Sequence, residues 1–423
     1  MNKYSNKIVI ESLGLPMLTC FDDLVKEVSL SEKLVYWLTK RDAEGRYNPF
    51  FIKKKDGNKR KINSPSLALK IVQRWTLENI LYKIKTSQYS YGFKRDIRKG
   101  SPLVYCAEKH KNNLYILKLD LKNFYPSIKR ESVYYIFKNV GYNADISNLL
   151  TNICVVNDEL PQGAVTSPYL ANLVCRKLDF RIAGYCNKRN IVYTRYADDF
   201  LIGVIGSKQD CIQIKEDIKQ FMADKLKLEL SDEKTLITNA RKHAKFLGYD
   251  VFVRKSNDTR RDKNGHLTRS LDHKIVLYVT TETMRKKLLE YDAVKITKQN
   301  GKEVWKPKGR SYMRCLDDLE IISQYNSEIM GFYNYYSLAN NSPIIDSFYN
   351  IIEYSMYKTY AAKYTTSKKK IIAKYKKNGV FSIPYINKKG YEVRREFYDK
   401  GFKRKELPNR NLDDRLPNTV AIT

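Results

Sequence analysis

The sequence predicts an α+β fold in which a ferredoxin-like sheet is followed by a mostly α-helical C-terminal region. Between residues 114 and 253, segments follow one another in the order strand, helix, helix, strand–turn–strand, helix, strand, which is typical of such a sheet with helices on one face. After about residue 255 a polar stretch leads into a helical period rich in Tyr and Lys over residues 320–375. Because 423 residues are many for one core, we expect two or three domains.

The N-terminal elements are short helices and one basic hairpin. Residues 1–50 carry helical patterns such as FDDLVKEVSLSEKLVYWLTK. The stretch FFIKKKDGNKRKINSP at residues 50–65 predicts a hairpin, because basic runs flank an Asp56-Gly57 turn. A helix over residues 66–85 follows from the near-helical spacing of its apolar positions, which are Leu69, Val72, Trp75, Ile80 and Ile84.

The central segments alternate between strands and helices. LYILKLD at residues 114–120 predicts a strand, and the segment beginning KNFYPSIKRES turns into a helix. LPQGAVTSPYLANLVCRKLDFRIAGYC predicts a Gly/Pro loop that leads into one long helix. YTRYADDFLIGV predicts two short strands around a turn, followed by an amphipathic helix capped by Ser207 and by the strand KFLGYDVFV.

The charge balance indicates a polyanionic partner. Seventy-eight Lys and Arg against 46 Asp and Glu leave a net charge of +32. Nucleic acid is the commonest polyanion inside cells, and 33 Tyr among the lysines offer stacking surfaces. A solubilising surface or attraction to anionic lipid would also explain the charge.

The cysteines and the N-terminus indicate a reducing compartment. Seven cysteines occur singly, without a Cys-x-x-Cys pair, and only four histidines are present, so a structural zinc site is not expected. No apolar stretch approaches the roughly 20 residues of a membrane span, and the N-terminal residues lack a signal-peptide pattern. We therefore expect a cytoplasmic protein without a membrane partner.

Two adjacent carboxylates, Asp198 and Asp199, interrupt an apolar and aromatic run. Burying them together is costly unless a cation neutralises them. Asp120 closes the strand at residues 114–120, whose end can lie beside the turn that carries the pair. Three carboxylates at neighbouring strand ends would suit two Mg²⁺ ions. A solvated Asp-Asp turn, with Asp120 in an unrelated helix cap, fits the spacing equally well.

A set of ordered motifs resembles the reverse transcriptases. Tyr196-Ala-Asp-Asp199 resembles their Y-x-D-D box, and LKLDLKNFYPSI resembles their first metal-binding motif. LPQGAVTSPYLANLVCRKLD resembles the Gln-Gly-x-x-x-Ser-Pro motif of the bacterial members. LSDEKT, FLGYDVF and IKKKDGNKRKI resemble the following motif, the primer-grip strand and the fingers hairpin. These motifs stand in the family's order over about residues 50–255.

The resemblance implies a right-hand polymerase. Its regions would be N-terminal helices and fingers at residues 1–110, a catalytic ferredoxin-like palm at 111–255, a helical thumb or maturase-like region at 256–400, and a basic, Pro- and Asn-rich tail at 401–423 that is poorly ordered. The implied activity is RNA-directed DNA synthesis by a two-metal mechanism with Mg²⁺, for which Mn²⁺ can substitute. The implied partners are an RNA template, a DNA primer or product, and dNTPs.

The resemblance also assigns roles to individual residues. The metal ions would be bound by Asp120, Asp198, Asp199 and the Leu121 carbonyl, and the pyrophosphate would be protonated by Lys234. The triphosphate would contact Lys54 and Arg60, and the nucleotide pocket would be lined by Gln162 and Gly163. Tyr125 would exclude a ribose 2′-hydroxyl. Each role has an alternative. Lys54 and Arg60 could belong to a hairpin that binds the template backbone, and Gln162 and Gly163 could form an ordinary helix-entry turn. Tyr125 could be a core residue, Phe124 could share its role, and Lys234 could be a surface lysine.

Features of two branches occur together. SYGFKRDIRKGSPLVYCAEKH resembles the retron-like branch, with Ala107 and His110 of its N-A-x-x-H pattern but Cys106 in place of the Asn. IISQYNSEIMGFYNYYSLANN and YSMYKTYAAKYTTSKKKIIAKY resemble the thumb and maturase helices of group II intron proteins, whose Tyr and Lys faces could hold RNA. Core tyrosines and a solvated lysine face are the alternative.

The mixture is similar to that of unclassified, phage-defence-associated bacterial reverse transcriptases. It implies cDNA synthesis from a cognate noncoding RNA. A group II intron-type maturase that assists splicing and mobility is the alternative, and a non-catalytic RNA-binding protein is a third. The order of the motifs and the intact carboxylate set favour an enzyme over that third candidate.

Overall fold

The computed structural model describes residues 6–53, 57–94, 102–226, 229–239, 244–253, 275–387 and 389–405. They belong to two compact units, one within Met1–Lys242 and the other within His243–Leu407. Among these residues, no helix combines the length and the apolar composition needed to cross a lipid bilayer.

The first unit begins with helices and the predicted hairpin. Its elements are α1 (Lys7–Ser12), α2 (Phe21–Val28), α3 (Glu32–Thr39), β1 (Tyr47–Lys53), β2 (Lys59–Pro65) and α4 (Leu67–Asn79). The strands β1 and β2 are antiparallel, with Lys53 opposite Lys59. The α4 helix starts after Ser66 because the Ser66 side chain accepts a hydrogen bond from the Leu69 amide. The hairpin tip, with the sequence-predicted Lys54, lies outside the described residues.

The centre of this unit is a four-stranded antiparallel sheet. Its strands are β3 (Tyr115–Asp120), β4 (Val192–Tyr196), β5 (Asp199–Val204) and β6 (Leu236–Asn239), in the spatial order β4-β5-β3-β6. Chain order and spatial order together are those of the ferredoxin-like βαββαβ arrangement that the sequence predicted. The predicted last strand was wrong, because β6 takes that place and KFLGYDVFV forms two strands, Ala244–Phe246 and Tyr249–Val253, of another sheet. Every residue of β5 is buried. This explains why its sequence is a continuous apolar run after Asp199, without the alternation of a half-exposed strand.

Further helices of this unit lie before or between the strands of the sheet. They are α5 (Pro102–Lys109), α6 (Phe124–Ser127), α7 (Arg130–Asn139), α8 (Ala144–Cys154), α9 (Ser167–Val174), α10 (Arg176–Asn187) and α11 (Lys208–Leu226). The one long helix predicted after the Gly/Pro loop is two helices, because α9 ends and α10 begins on either side of Cys175. Ser207 precedes α11, and its hydroxyl accepts from the Asp210 amide at 3.2 Å, which confirms it as the cap.

His110, which belongs to the retron-like pattern in the sequence, is a core residue. Its Nε2 lies 2.7 Å from Thr194 Oγ1, and its Nδ1 accepts a hydrogen bond from the side-chain Nδ2 of Asn113 at 3.2 Å. Burial lowers the pKa of His110 to about 4, so the ring is neutral at physiological pH. Cys106 Sγ lies 3.2 Å from the same threonine hydroxyl. These side chains therefore form a buried polar cluster behind β4 and β5.

Gly203→Ala should destabilise the first unit by about 2–3 kcal/mol, because overpacking a well-filled core costs about this much. A Cβ at Gly203 would lie 1.8 Å from Asn113 Nδ2 and 2.6 Å from His110 Nδ1. Urea and thermal midpoints would measure the loss. The matched control is Gly184→Ala on the exposed face of α10, where a Cβ meets nothing within 4 Å. That change should add about 0.5–1 kcal/mol. Equal midpoints for the two variants would contradict the prediction.

The second unit combines helices with strands. Its elements are β7 (Ala244–Phe246), β8 (Tyr249–Val253), β9 (Ile275–Tyr278), α12 (Thr281–Glu290), β10 (Val294–Gln299), β11 (Lys302–Pro307), α13 (Asp318–Tyr336), α14 (Ile344–Lys363), α15 (Lys368–Tyr375), β12 (Lys376–Lys377), β13 (Val380–Ile386) and β14 (Glu392–Glu396). The helical period at residues 320–375 corresponds to α13, α14 and α15. The strands β9 to β14 were not predicted.

The tyrosines of α13 and α14 divide between core and surface. Tyr325, Tyr357 and Tyr360 are fully buried, whereas Tyr335, Tyr354 and, directly after α14, Tyr364 are exposed. Core packing therefore explains the first group, and only the second group remains available for stacking against a nucleic acid.

Candidate active site

The Tyr-Ala-Asp-Asp sequence forms the two-residue turn between β4 and β5. Tyr196 is paired with Asp199, so Ala197 and Asp198 are the central residues of the turn. Ala197 has φ = +58°, whereas Asp198 does not have a positive φ. A positive φ at the first central residue alone is the pattern of a type II′ turn, whose twist suits a hairpin but which usually has Gly at that position. The turn brings both aspartates to one end of the sheet.

Asp120 lies directly beside this turn. The register of β3 and β5 pairs Asp120 with Asp199, so the two side chains share one face of the sheet. Both residues are buried, at 5 % and 7 % exposure. The sequence-based expectation that the end of the first strand lies beside the Asp198–Asp199 turn therefore matches the observed geometry.

Two lysines contact the carboxylates. Lys118 Nζ lies 2.9 Å from Asp199 Oδ2, and Lys234 Nζ lies 2.9 Å from Asp120 Oδ1. Lys118 is two residues before Asp120 on β3 and therefore points to the same face. Sequence reasoning missed Lys118, although its spacing from Asp120 on a strand could have revealed it. Lys234 was predicted from its motif.

The electrostatics of the site favour a cation. Burial and the nearby Asp120 carboxylate raise the pKa of Asp198. Burial also raises the pKa of Asp199, against the lowering effect of the Lys118 ammonium group. Raised pKa values mean that the protein disfavours the ionised carboxylates, so additional positive charge at this position would stabilise them.

The donor atoms fit hard divalent ions, although the carboxylates are turned toward lysines. Within the described parts of the chain, no three Asp, Glu, His or Cys side chains are already gathered as a metal cluster. Lys118 and Lys234 account for the orientation of Asp199 and Asp120. Carboxylate oxygens on paired strand ends are nevertheless the ligands that Mg²⁺ and Mn²⁺ prefer.

The Leu121 carbonyl is directed toward the same end of the sheet. Asp120 O accepts from Ser231 N at 2.8 Å, and Lys122 N donates to Glu229 O at 3.0 Å. Leu121 lies between Asp120 and Lys122 and is opposite Leu230 in this antiparallel bridge. Because the two bonds are made by its chain neighbours, the N–H and C=O of Leu121 itself are directed away from the segment that contains Leu230. Its carbonyl therefore faces the side of β3 on which Asp199 lies.

Tyr125 lies close to the carboxylates, whereas Phe124 belongs to the core. Phe124 is 5 % exposed, and Tyr125 is half-buried. Burial and the Asp198 carboxylate raise the pKa of Tyr125 to about 12. Of the two aromatic residues, Tyr125 is thus the one whose ring could meet a substrate bound over Asp198.

Gly163 is required by the approach of the hairpin. Its φ is +117°, and a Cβ there would lie 2.8 Å from the Asn63 carbonyl oxygen and 2.9 Å from Ile62 Cγ2. Asn63 N donates to Gln162 O at 2.8 Å. The loop therefore joins β2, which also carries the exposed Arg60, to the start of α9.

Two family models match the chain. Residues 52–251 match the reverse transcriptase (RNA-dependent DNA polymerase) family, and residues 272–416 match the type II intron maturase family. The second match confirms the maturase-like resemblance inferred from the sequence of α13 to α15. The first runs from the fingers hairpin, which starts at Ile52, to Val251 in the primer-grip strand FLGYDVF, and so includes the catalytic motifs between them.

Individual relatives come from both branches. The chain is 35 % identical over 255 residues to the retron Ec86 reverse transcriptase of Escherichia coli, an alignment that covers 60 % of this chain and 78 % of that protein. It is 42 % identical over 204 residues to the group II intron-encoded protein LtrA of Lactococcus lactis subsp. cremoris, covering 48 % of this chain and 33 % of that protein. The chain thus spans most of the retron protein and one third of LtrA.

A solved structure of apo telomerase from Candida tropicalis matches with a TM-score of 0.34 at 13 % identity. The match covers 48 % of this chain and 52 % of that chain. This likeness is too weak to support a structural argument. The 35 % identity to the retron Ec86 protein, over 78 % of its length, establishes homology. The chain therefore belongs to the reverse transcriptases, the RNA-directed DNA polymerases, of the retron and group II intron group.

Proposed function

We propose that this protein is a two-metal polymerase that makes cDNA from a cognate noncoding RNA. The pairing of Asp120 with Asp199 next to Asp198 carries this proposal, because it places hard oxygen donors on neighbouring strand ends, at a position where positive charge would stabilise the ionised carboxylates. Reverse transcriptases use divalent metal ions. We assign two Mg²⁺ ions, replaceable by Mn²⁺, to Asp120, Asp198, Asp199 and the Leu121 carbonyl.

Each side chain has a role in the proposed chemistry. The bound ions would lower the pKa of a primer 3′-hydroxyl and stabilise charge on the phosphorus and its leaving oxygen. Lys118 and Lys234 neutralise Asp199 and Asp120 before ions and substrate arrive. Lys234, whose side chain is 59 % exposed, could then swing to donate a proton to the departing pyrophosphate.

The nucleotide would lie between the carboxylates and the hairpin. We assign triphosphate contacts to Arg60 and Lys54, since an arginine fork and a lysine point charge suit phosphate oxygens. Gln162 and Gly163 would line the pocket. The hydrogen bond from Asn63 to Gln162 supports this arrangement, because it joins the hairpin strand to the pocket loop.

Tyr125→Ala should weaken the selection of deoxynucleotides. If the ring excludes a 2′-hydroxyl, its removal should raise rNTP incorporation relative to dNTP by about 10- to 100-fold, within the range for a steric or polar discrimination of 1–3 kcal/mol. Single-nucleotide extension with dGTP and GTP would measure the ratio. Phe124→Ala is the matched control, because it removes a neighbouring core ring. A larger effect from the control would assign the role to Phe124.

We also propose the regions of a right-hand polymerase for this chain. We propose N-terminal helices and fingers at residues 1–110, the palm at 111–255, a thumb and maturase-like region at 256–400, and a tail at 401–423. The exposed Tyr354 and Tyr364 beside the lysines of α15 support an RNA-binding role for the third region. We further propose a cytoplasmic location, which suits seven free cysteines.

A role in antiphage defence is our proposal for the biological process, and maturase activity is the second candidate. The match of residues 272–416 to the type II intron maturase family favours the second. Sequencing the nucleic acid that copurifies with the protein separates the two: a cDNA copied from one noncoding RNA supports the first, and bound intron RNA supports the second. The absence of both, together with failure to extend a primer on RNA, would refute the proposed function.

A further inference from the structure

The Arg195 guanidinium group is completely buried behind the Ala197–Asp198 turn. Its Nε and Nη2 donate to the two carboxylate oxygens of Asp179 at 2.7 and 2.9 Å. Its Nη1 donates to Asn172 Oδ1 at 3.0 Å and to the Ala197 carbonyl oxygen at 2.9 Å. A buried ion pair is weak evidence for stability, because desolvation offsets much of the attraction. The bond to Ala197 suggests a more specific use.

The Ala197 carbonyl belongs to the part of the turn that most needs support. Alanine disfavours the positive φ that it adopts here, and in a type II′ turn glycine would be the ordinary choice. Asp198 is the next residue and Asp199 the one after it. Any relaxation at Ala197 would therefore move both carboxylates relative to Asp120.

The loop around Gly92 supports the turn from another direction. Arg195 N donates to Tyr89 O, and Tyr91 N donates to Arg195 O, both at 2.8 Å, so this loop extends the edge of the sheet beyond β4. A Cβ at Gly92 would lie 2.9 Å from the Ala197 amide nitrogen. The turn thus packs directly against the Gly92 backbone.

Asn172 links the loop to the guanidinium group. Its Nδ2 donates to Gly92 O at 2.7 Å, and its Oδ1 accepts from Ser90 Oγ at 2.9 Å as well as from Arg195. Asn172 is on α9 and Asp179 on α10, so segments that are distant in sequence meet at one buried arginine.

We propose that Arg195 is a positioning residue of the active site: held by Asp179 and Asn172, it fixes the Ala197 carbonyl and thereby the places of the Asp198 and Asp199 carboxylates. The inference rests on the proposed polymerase function for its kinetic consequence. It does not place Arg195 in contact with substrate.

Arg195→Lys tests this while keeping the buried positive charge, because an ammonium group cannot make the same forked set of bonds. We expect kcat to fall about 10- to 100-fold, the cost of small misplacements of reacting groups. The Mg²⁺ concentration for half-maximal activity should rise, whereas the RNA Kd and the dNTP KM should stay within about twofold, since those contacts lie elsewhere. Independently of activity, backbone hydrogen exchange in a peptide spanning residues 196–200 should accelerate roughly tenfold.

Gly92→Ala acts on a different atom of the turn, the Ala197 amide nitrogen, and provides a second variant. Its methyl group would press on Ala197 N, so it should raise the Mg²⁺ requirement and local exchange as Arg195→Lys does. The matched control is Arg310→Lys in the other unit, where Arg310 is equally buried and donates to both carboxylate oxygens of Glu328 at 2.9 and 2.6 Å. It should lower stability without changing the Mg²⁺ requirement.

The proposal is overturned if Arg195→Lys and Gly92→Ala lower the thermal midpoint as Arg310→Lys does while leaving the Mg²⁺ requirement and exchange at residues 196–200 unchanged. If the unmodified protein does not polymerise, the proposed function fails, but hydrogen exchange still decides whether Arg195 holds the turn. Unchanged local exchange in both variants would then refute the inference.

Discussion

A variant with both Asp198→Asn and Asp199→Asn should extend a primer on an RNA template about a thousandfold more slowly than the unmodified protein. The reason is that a single group that stabilises charge in the transition state contributes about 10²–10³ to kcat. Asparagine keeps the shape of the side chains and removes the charges that would hold metal ions. Primer extension at saturating dNTP and Mg²⁺ measures the loss. Binding of the same RNA should be unchanged, since the substitutions lie at a buried sheet end.

The control must match the change in charge. Glu216→Gln with Asp224→Asn removes two negative charges from exposed positions on α11 and should leave extension near the unmodified rate. Activity of the Asp198/Asp199 variant within tenfold of this control would refute the metal assignment.

The same carboxylates should cost the protein stability. A folded-state pKa raised above the unfolded value means that Asp198 contributes most stability when it is protonated. That contribution is complete below the unfolded pKa and is lost as pH rises through the folded pKa. Without metal ions, Asp198→Asn should therefore have a thermal midpoint at neutral pH at least as high as that of the unmodified protein. This direction is opposite to that expected of a structural carboxylate.

The neighbourhood of β3, β4 and β5 and the meeting of Asp120 with Asp199 could be predicted because they depend on local signals, whereas the short strand β6 was missed. Apolar runs mark β3 and β5, the Asp-Asp turn separates β4 from β5, and the order of segments selects one sheet topology. The lysine contacts could not be predicted in the same way. Whether Lys118 bonds Asp199 depends on side-chain rotamers as well as on the face of the strand.

The Arg195 network was missed for a different reason. Its members come from the loop near residue 90, from α9, from α10 and from β4, and nothing in their spacing shows that they converge. The break at Cys175 was missed as well, because the apolar period runs on through it. Such features arise from tertiary packing, which a single sequence does not reveal.

The hairpins of the second unit did have a local signal. Asn300-Gly301 joins β10 to β11, and Asn378-Gly379 joins β12 to β13, with positive φ at all of these residues. Asn-Gly between alternating segments is the strongest short-range hairpin signal. The prediction of a mostly helical region is therefore wrong at these two hairpins, which flank the strong helical period of residues 320–375 on either side.

Affinity for RNA should fall about 300- to 1,000-fold between 50 and 200 mM monovalent salt if about six phosphates are neutralised, which corresponds to a log–log slope of roughly −4 to −5. The net charge of +32 motivates this expectation. Filter binding or fluorescence anisotropy over a salt series would measure the slope. A slope near zero would refute phosphate-dominated binding.

The lysines of α15 should supply part of this slope. Lys368, Lys369 and Lys370 are exposed in the first helical turn, where positive charge opposes the helix dipole, so a bound phosphate would relieve an unfavourable arrangement. Lys368 Nζ lies 4.9 Å from the ring centroid of the exposed Tyr354, which places a stacking surface beside these charges.

Changing these three lysines to Gln should make the slope shallower by about 2, since each phosphate contact on single-stranded RNA contributes about 0.7. The matched control replaces Lys26, Lys33 and Lys40, exposed lysines of the N-terminal helical segment, and removes the same charge. If both triple variants change the slope equally, binding follows net charge alone. A larger change from the α15 variant would locate RNA on the region that matches the maturase family. The α15 variant should extend a primer normally at saturating RNA, because its Asp120–Asp199 pair is unaltered.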